Sequence, residues 1–239
     1  MAKIYKTIDL FSGIGGIRKG YEMTGRFKNV LSADIDKFAC KVYKHLYNED
    51  SFNDVTSDEF KEKVKKIDYD ILLGGFPCQA FSIAGLQKGF ADETRGTLFF
   101  DIADILKKTK PKAFMLENVE GLLKHDKGNT FKTIVKVLNE LDYKIVGIDI
   151  KDGIINYEAK NLIRTTKDFG IPHKRARIFI MGFILPSAFH ESCGRWGLPW
   201  QPHAGQHCQY GCKSVWWRGL HAPVPPAEHG YPRHFSASG

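Results

Sequence analysis

Short apolar runs alternate with helix-period stripes along residues 1–185, and that alternation leaves few folds open. Lys6–Leu10 (KTIDL), Asn29–Ala33, Tyr69–Leu73, Ala113–Leu116, Lys144–Ile150, Glu158–Ile163 and Arg177–Phe183 read as strands. Between them, Phe38, Val42 and Leu46 share one face of a predicted helix. Leu98, Ile102 and Ile105 mark a second within Thr97–Lys108, and Phe131, Ile134, Val135, Leu138 and Leu141 a third. Repeated strand–helix alternation argues for a doubly wound, mostly parallel α/β sheet. Such sheets bind ligands at the carboxyl ends of their strands, which is where the chemically interesting residues of this chain fall.

The pattern ends abruptly at residue 186. Residues 186–239 hold all 4 Trp, 6 of 9 His, 7 of 10 Pro and 3 of 5 Cys, with no Ile, Asn or Asp and one Lys, Lys213. Pro and Gly recur too often there for a regular helix or ladder, so the chain divides into a domain, 1–185, and an irregular tail, 186–239. Three readings of the tail are open. Cys193, His203, His207, Cys208 and Cys212 offer a small metal module, but without paired CxxC knuckles. A flexible extension is the second. Out-of-frame translation is the third, and the sudden change of composition favours it.

A net charge of +8 and a pI near 9.1 are compatible with a polyanionic partner but do not identify one. No run approaches the ~18 apolar residues of a membrane span, and MAKIYKTIDLF carries no signal-peptide core. Five unevenly placed cysteines are not a secreted disulfide framework. Together these point to the cytoplasm, and no metal-binding residues are assigned.

Asp9-Leu-Phe-Ser-Gly-Ile-Gly-Gly16 places glycines where the first strand turns into a helix, which permits a tight turn and close approach of a ligand. Asp34 ends the second strand, where a carboxylate commonly accepts from ribose hydroxyls. Arg18 occupies the last position of a GxGxxG fingerprint, which weakens a dinucleotide reading and leaves an adenosyl cofactor or a mere packing turn open. Gly74-Gly-Phe-Pro-Cys78 sets a cysteine on a rigid turn at a strand end, a suitable nucleophile once deprotonated. Cys40, inside a helix, reads instead as a buried apolar thiol. Glu117 and Asn118 follow the strand Ala113–Leu116, as a helix cap or as an acid held in a cleft. Arg175 and Arg177, in extended geometry, would point the same way.

DLFSGIGG, GGFPCQAFS, RGTLFFDI, ENVEGLL and PHKRARIFIMGF occur in this order between Lys6 and Phe183, and the set resembles that of the cytosine-C5 DNA methyltransferases of bacterial restriction–modification systems. The resemblance implies the S-adenosylmethionine-dependent methyltransferase type of sheet. It implies that Phe11, Gly13, Gly15, Gly16, Asp34, Ile35, Asp54, Val55 and Pro77 bind S-adenosyl-L-methionine. Asp34 would take the ribose, Ile35 would pack on the adenine, and Asp54 and Val55 would meet the adenine edge. Cys78 would add to cytosine C6, Glu117 would act at N3 and Arg177 at O2, while Arg175 would hold the base and Cys78. The target cytosine must be flipped out of the duplex, and Gln79–Arg95, with Gly85, Gly89 and Gly96 as hinges, resembles the loop that closes over it.

His173 stands where the family usually has Gln. A target-recognition domain and a later Gly-Asn-Ser-Val-like helix are not found after Phe183, and the tail offers only Arg195, Lys213, Arg218 and Arg233 as strong bases. The resemblance therefore implies a catalytic region truncated before its recognition part, with double-stranded DNA as partner and a cognate restriction endonuclease as a genetic partner. The main alternative is an inactive fragment, or one needing a second polypeptide for recognition. An RNA-methylating relative would need the same missing half. A nucleotide-dependent oxidoreductase would explain neither Cys78 nor Glu117.

Overall fold

Both faces of the first strand are buried, so it must lie inside a sheet covered on two sides. In a computed structural model the described residues are 3–77 and 98–185. The expectations for Cys78, for Gln79–Arg95 with Gly85, Gly89 and Gly96, for Thr97 and for the whole of 186–239, including Cys193, His203, His207, Cys208 and Cys212, lie outside the described residues.

The strands are β1 (Tyr5–Leu10), β2 (Phe27–Ala33), β3 (Ile71–Gly75), β4 (Ala113–Val119), β5 (Lys144–Ile145), β6 (Ile148–Lys151), β7 (Ile154–Tyr157), β8 (Ile163–Thr165) and β9 (Ala176–Phe183). The main sheet runs β2-β1-β3-β4-β9-β5, and β8 also pairs with β9; β6 and β7 make a separate hairpin. The pairs β1–β2, β1–β3 and β3–β4 are parallel, whereas β9 runs antiparallel to β4, β5 and β8. The chain leaves β1 for β2 on one side and returns to β3 on the other. That reversal opens a crevice at the carboxyl ends of β1 and β3, which receives both glycine-bearing turns.

Helices α1 (Gly16–Glu22), α2 (Lys37–Tyr47), α3 (Asp58–Lys65), α4 (Leu98–Thr109) and α5 (Asn129–Glu140) cover the sheet, and a single turn, α6 (Ala159–Leu162), precedes β8. Asp36 caps α2 by accepting from the Phe38 and Ala39 N–H groups, and Ser57 caps α3 through Phe60 N–H. On one face Phe60 and Val64 of α3, Ile102, Ile105 and Leu106 of α4, and Phe131, Ile134 and Leu138 of α5 pack on Ile8, Leu10, Leu72, Leu116 and Ile180. On the other face Ile17 and Tyr21 of α1 pack on Ile71, Leu73 and Met115. Lys61 is buried between α3 and α4, its Nζ 2.7 Å from Asp101. Among the described residues no helix is long and apolar enough to cross a membrane.

Three local expectations are corrected. Phe38, Val42 and Leu46 do share a face of α2, but it is the open one, at 79, 43 and 56% exposure. Cys40 and Tyr43 face inward instead, because Tyr43 finds polar partners there. Lys144–Ile150 breaks into β5 and β6 at Gly147, whose φ of 74° leaves the strand region. The segment read as a strand over Glu158–Ile163 is mostly α6, and the strand preceding it, β7, closes a hairpin over Asp152 and Gly153, both at positive φ.

Packing at the β9 edge yields a stability prediction. A β-carbon at Gly182 would stand 2.5 Å from Phe114 Cε1 and Cζ and 3.3 Å from the Lys144 carbonyl. Phe114 cannot move aside easily, since it packs edge-on against Tyr143, whose hydroxyl donates to the Pro111 carbonyl at 2.9 Å. Gly182→Ala is expected to cost roughly 2–3 kcal/mol, a Tm loss on the order of 5–10 °C by thermal denaturation. A loss below about 2 °C would contradict this packing.

Candidate functional site

Four strand ends converge on one edge of the sheet. After β1 the chain enters the glycine-bearing turn with Phe11, Gly13 and Gly15 all at positive φ, 55°, 52° and 86°. A phenylalanine held there is an unusual backbone, of the kind that concentrates at functional sites. Asp34, just past β2, ties the turn down: its Oδ2 accepts from Gly13 N–H at 2.7 Å and its Oδ1 from Asp36 N–H at 2.8 Å. An ionised carboxylate has about four acceptor positions, so Asp34 keeps capacity for further donors. Ile35 beside it is 66% exposed.

Segment 51–55 runs against the end of β2. Asp34 N–H donates to the Ser51 carbonyl, Asn53 N–H to the Asp34 carbonyl, and the Asn53 side chain to the Ser32 carbonyl. Asp54 is thereby brought near Asp34, but its Oδ1 accepts from the Thr56 N–H and hydroxyl, and Val55 is buried in the core.

Gly16 bears on whether the turn only packs or also has room for a ligand. Its φ is not positive, and an added β-carbon would meet nothing within 4 Å. Among the described residues neither backbone conformation nor packing calls for glycine there, and the missing side chain leaves room for a ligand to approach closely. Ser12 Oγ, buried in the same turn, has no hydrogen-bond partner among the described residues. These features fit an adenosyl cofactor laid between the turn, Asp34 and Ile35.

The second half of the site lies on β3, β4 and β9. Gly75 is in register with Glu117, and an added β-carbon on Gly75 would stand 3.6 Å from Glu117 Oε2. Glu117 Oε1 accepts from Arg177 Nε at 2.8 Å, with each side chain 21% exposed. Asn118 is buried, and its Nδ2 donates to the Phe76 carbonyl at 3.0 Å. That bond fixes the Phe76-Pro77 exit from β3 against the strand carrying Glu117. Cys78 follows Pro77 in sequence and lies outside the described residues. Arg175 lies one residue before β9, and among the described residues no contact of its side chain with Glu117 or Arg177 is found. The strand begins only at Ala176, and the Arg175 N–H donates to Thr166 Oγ1, leaving an exposed loop residue.

Three participants were not evident from the sequence. Asp9 on β1 is fully buried, and among the described residues neither oxygen meets a well-aligned donor. Burial pushes its carboxyl up to about 7, against partial relief from the Arg18 N–H and guanidinium. Arg18 is itself buried, donating to Glu49 at 2.6 and 3.0 Å, to Glu22 at 3.0 Å and to the Tyr43 hydroxyl at 2.7 Å. Tyr47 donates its hydroxyl to the Gly15 carbonyl at 2.9 Å. Tyr43 and Tyr47, four apart on α2, were the available signal. Cys40 matches expectation as a buried thiol, raised by burial.

A glycine-bearing turn that fits an adenosyl group, beside a carboxylate–arginine pair at the next strand ends, matches the class of methyl-transferring α/β enzymes. The family model described as C-5 cytosine-specific DNA methylase matches residues 5–191, and the chain belongs to this family. It is 50% identical to the Type II methyltransferase M1.ScrFI of Lactococcus lactis subsp. cremoris, over 79% of this chain and 44% of that protein. It is 51% identical to the Type II methyltransferase M.HaeII of Haemophilus aegyptius, over 76% of this chain and 51% of that one. The chain thus spans about half the length of these relatives. In structure it matches the S. pombe Dnmt2 methyltransferase with a TM-score of 0.57 at 19% identity, covering 76% of this chain and 50% of that one, a likeness of fold.

Proposed function

We propose that residues 1–185 form the catalytic domain of a DNA (cytosine-5-)-methyltransferase acting in the cytoplasm on double-stranded DNA, through a covalent bond between Cys78 and the base. The observation that carries this reading is the Glu117–Arg177 pair set against Gly75, at the strand end that leads through Phe76 and Pro77 to Cys78. S-adenosyl-L-methionine, when bound, supplies the methyl group. Phe11, Gly13, Gly15 and Gly16 hold it, Asp34 accepts from its ribose, and Ile35 covers the adenine. Asp54 and Val55 meet the adenine edge, and Pro77 closes the pocket from the side of β3.

Cytosine C5 is a poor nucleophile until C6 is attacked. Cys78 thiolate forms a C6–S bond, and the ring electrons displaced toward N3 and C5 make C5 enamine-like. Glu117 protonates or hydrogen-bonds N3, and Arg177 holds O2, so the charge that develops in the ring meets prepared partners. Arg175 steadies the base from the loop. Once C5 carries the methyl group, leaving S-adenosylhomocysteine, a water takes the C5 proton, the C6–S bond breaks to return the Cys78 thiolate, and any proton on N3 goes back to Glu117, restoring the aromatic ring.

The experiment is incubation of the chain with labelled S-adenosylmethionine and a duplex carrying 5-fluorocytosine. Fluorine leaves no C5 proton to lose, so an active enzyme stays covalently joined to DNA, and a denaturation-resistant labelled complex is expected. Cofactor binding with no complex would instead support a fragment dependent on a second polypeptide for DNA recognition. Absence of both would sink the assignment of activity. A cognate restriction endonuclease belongs to the same reading, as a genetic partner.

A further inference from the structure

We propose that Tyr47 is a positioning residue for the cofactor, acting through the carbonyl of Gly15. This rests on the reading that the Phe11–Gly16 turn holds S-adenosylmethionine. The turn has two side-chain anchors among the described residues. Asp34 holds it from the β2 side through Gly13 N–H, and Tyr47 holds it from the α2 side through Gly15.

The second anchor is built with some care. An added β-carbon on Gly15 would stand 2.8 Å from the Tyr47 hydroxyl and 2.9 Å from its Cζ, so the ring occupies the space a side chain would take. Gly15 combines this crowding with a φ of 86°, so both backbone and packing require glycine there. The contrast with Gly16, where nothing crowds the position, separates the two roles. Gly15 is shaped by Tyr47, and Gly16 is left open.

Tyr47 is in turn fixed from behind. The Arg18 guanidinium lies 4.1 Å from the centre of its ring, and the same guanidinium reaches Glu49, just past the end of α2, with two hydrogen bonds. Tyr43 packs at 4.6 Å centroid to centroid from Tyr47 and joins the set through its hydroxyl to Arg18 and Ser32. The helix that leaves the turn and the helix that follows Asp34 are therefore bolted together by Arg18. This explains why arginine stands where a dinucleotide fingerprint would have its last glycine. The position serves to clamp two helices rather than to let one lie close on a strand. Removing the Tyr47 hydroxyl alone takes away one of two donors to the Gly15 carbonyl, leaving the Lys19 N–H at 2.9 Å, and so loosens the peptide plane that this carbonyl shares with Gly16 N–H.

The test compares the wild-type chain with Tyr47→Phe by calorimetric titration of S-adenosylhomocysteine and by thermal denaturation without ligand. Tyr47→Phe is expected to bind roughly 3–10-fold more weakly, with Tm within about 2 °C of wild type and with shifted Gly13, Gly15 and Gly16 amide resonances. Equal affinity in the two proteins would overturn the proposal while leaving the cofactor reading intact. Weaker binding that comes with a clear fall in Tm would also overturn it, by making Tyr47 a general packing residue. A wild-type chain that binds no S-adenosylhomocysteine would remove the cofactor reading, and the proposal with it.

Discussion

Cys78→Ser is expected to abolish the covalent complex with fluorocytosine DNA, and Glu117→Gln to slow its formation roughly 10²–10⁴-fold. Serine keeps the shape of cysteine but cannot supply an anion near neutral pH, where a thiol with an ordinary pKa near ~8.5 can. The Glu117 effect has a different origin. The carboxyl can deliver a proton to N3 as the thiolate adds, whereas the amide of Gln can only donate a hydrogen bond. Gln also removes the charge that Arg177 Nε meets at 2.8 Å, so Arg177 loses the partner that orients it. Both losses fall on the addition step, so S-adenosylhomocysteine affinity is expected to stay within about twofold in each variant. Adduct formation followed on denaturing gels, beside titration of S-adenosylhomocysteine, separates the two quantities. A Glu117→Gln protein that forms the complex at the wild-type rate would refute the role given to Glu117.

The parts of the fold legible in the sequence were those where hydrophobicity alone decides. The strands β1, β2, β4 and β9 and the helices α4 and α5 carry apolar residues at the periods of their own geometry, and they lie within a few residues of expectation. Where hydrogen bonds decide, periodicity fails. On α2 the apolar stripe of Phe38, Val42 and Leu46 looks outward, because Tyr43 and Tyr47 have hydroxyl partners inside and the stripe has none. Arg175 is held by backbone hydrogen bonds that its spacing from Arg177 does not show. Just before the strand begins at Ala176, its N–H donates to the Thr166 hydroxyl and its carbonyl accepts from the Thr166 N–H.

The candidate site divides along the same line. Glu117 announces itself by residue type at a strand end, and the ordered motifs identify the family. The supports are silent in sequence. Asn118 acts through a carbonyl on another strand, and Tyr47 through a carbonyl on another turn, and backbone carbonyls leave no mark on the amino-acid string. Asp9 is the extreme case, an ordinary-looking acid within a strand whose cost appears only when its burial is known.

That cost predicts a pH dependence. In the unfolded chain the Asp9 carboxyl titrates near 3.8, and in the folded protein near 7. Between those values the folded state keeps a proton that the unfolded state has lost, so stability falls as pH rises and the full penalty is reached above about 7. The difference of 7 − 3.8 = 3.2 corresponds to at most roughly 4 kcal/mol. Asn at this position has nearly the same shape and no proton to lose. Asp9→Asn is therefore expected to match the wild type near pH 4 and to exceed it progressively up to pH 8, in urea titrations run at both ends of that window. The curves should part over the interval in which folded Asp9 is protonated and unfolded Asp9 is not. A stability difference that stays constant from pH 4 to 8 would show that Asp9 is ionised in the folded protein, held by Arg18 rather than by a proton. Natural chains tolerate such a penalty where function sets the local structure, and here the acid sits on β1 directly before the turn that Asp34 and Tyr47 hold.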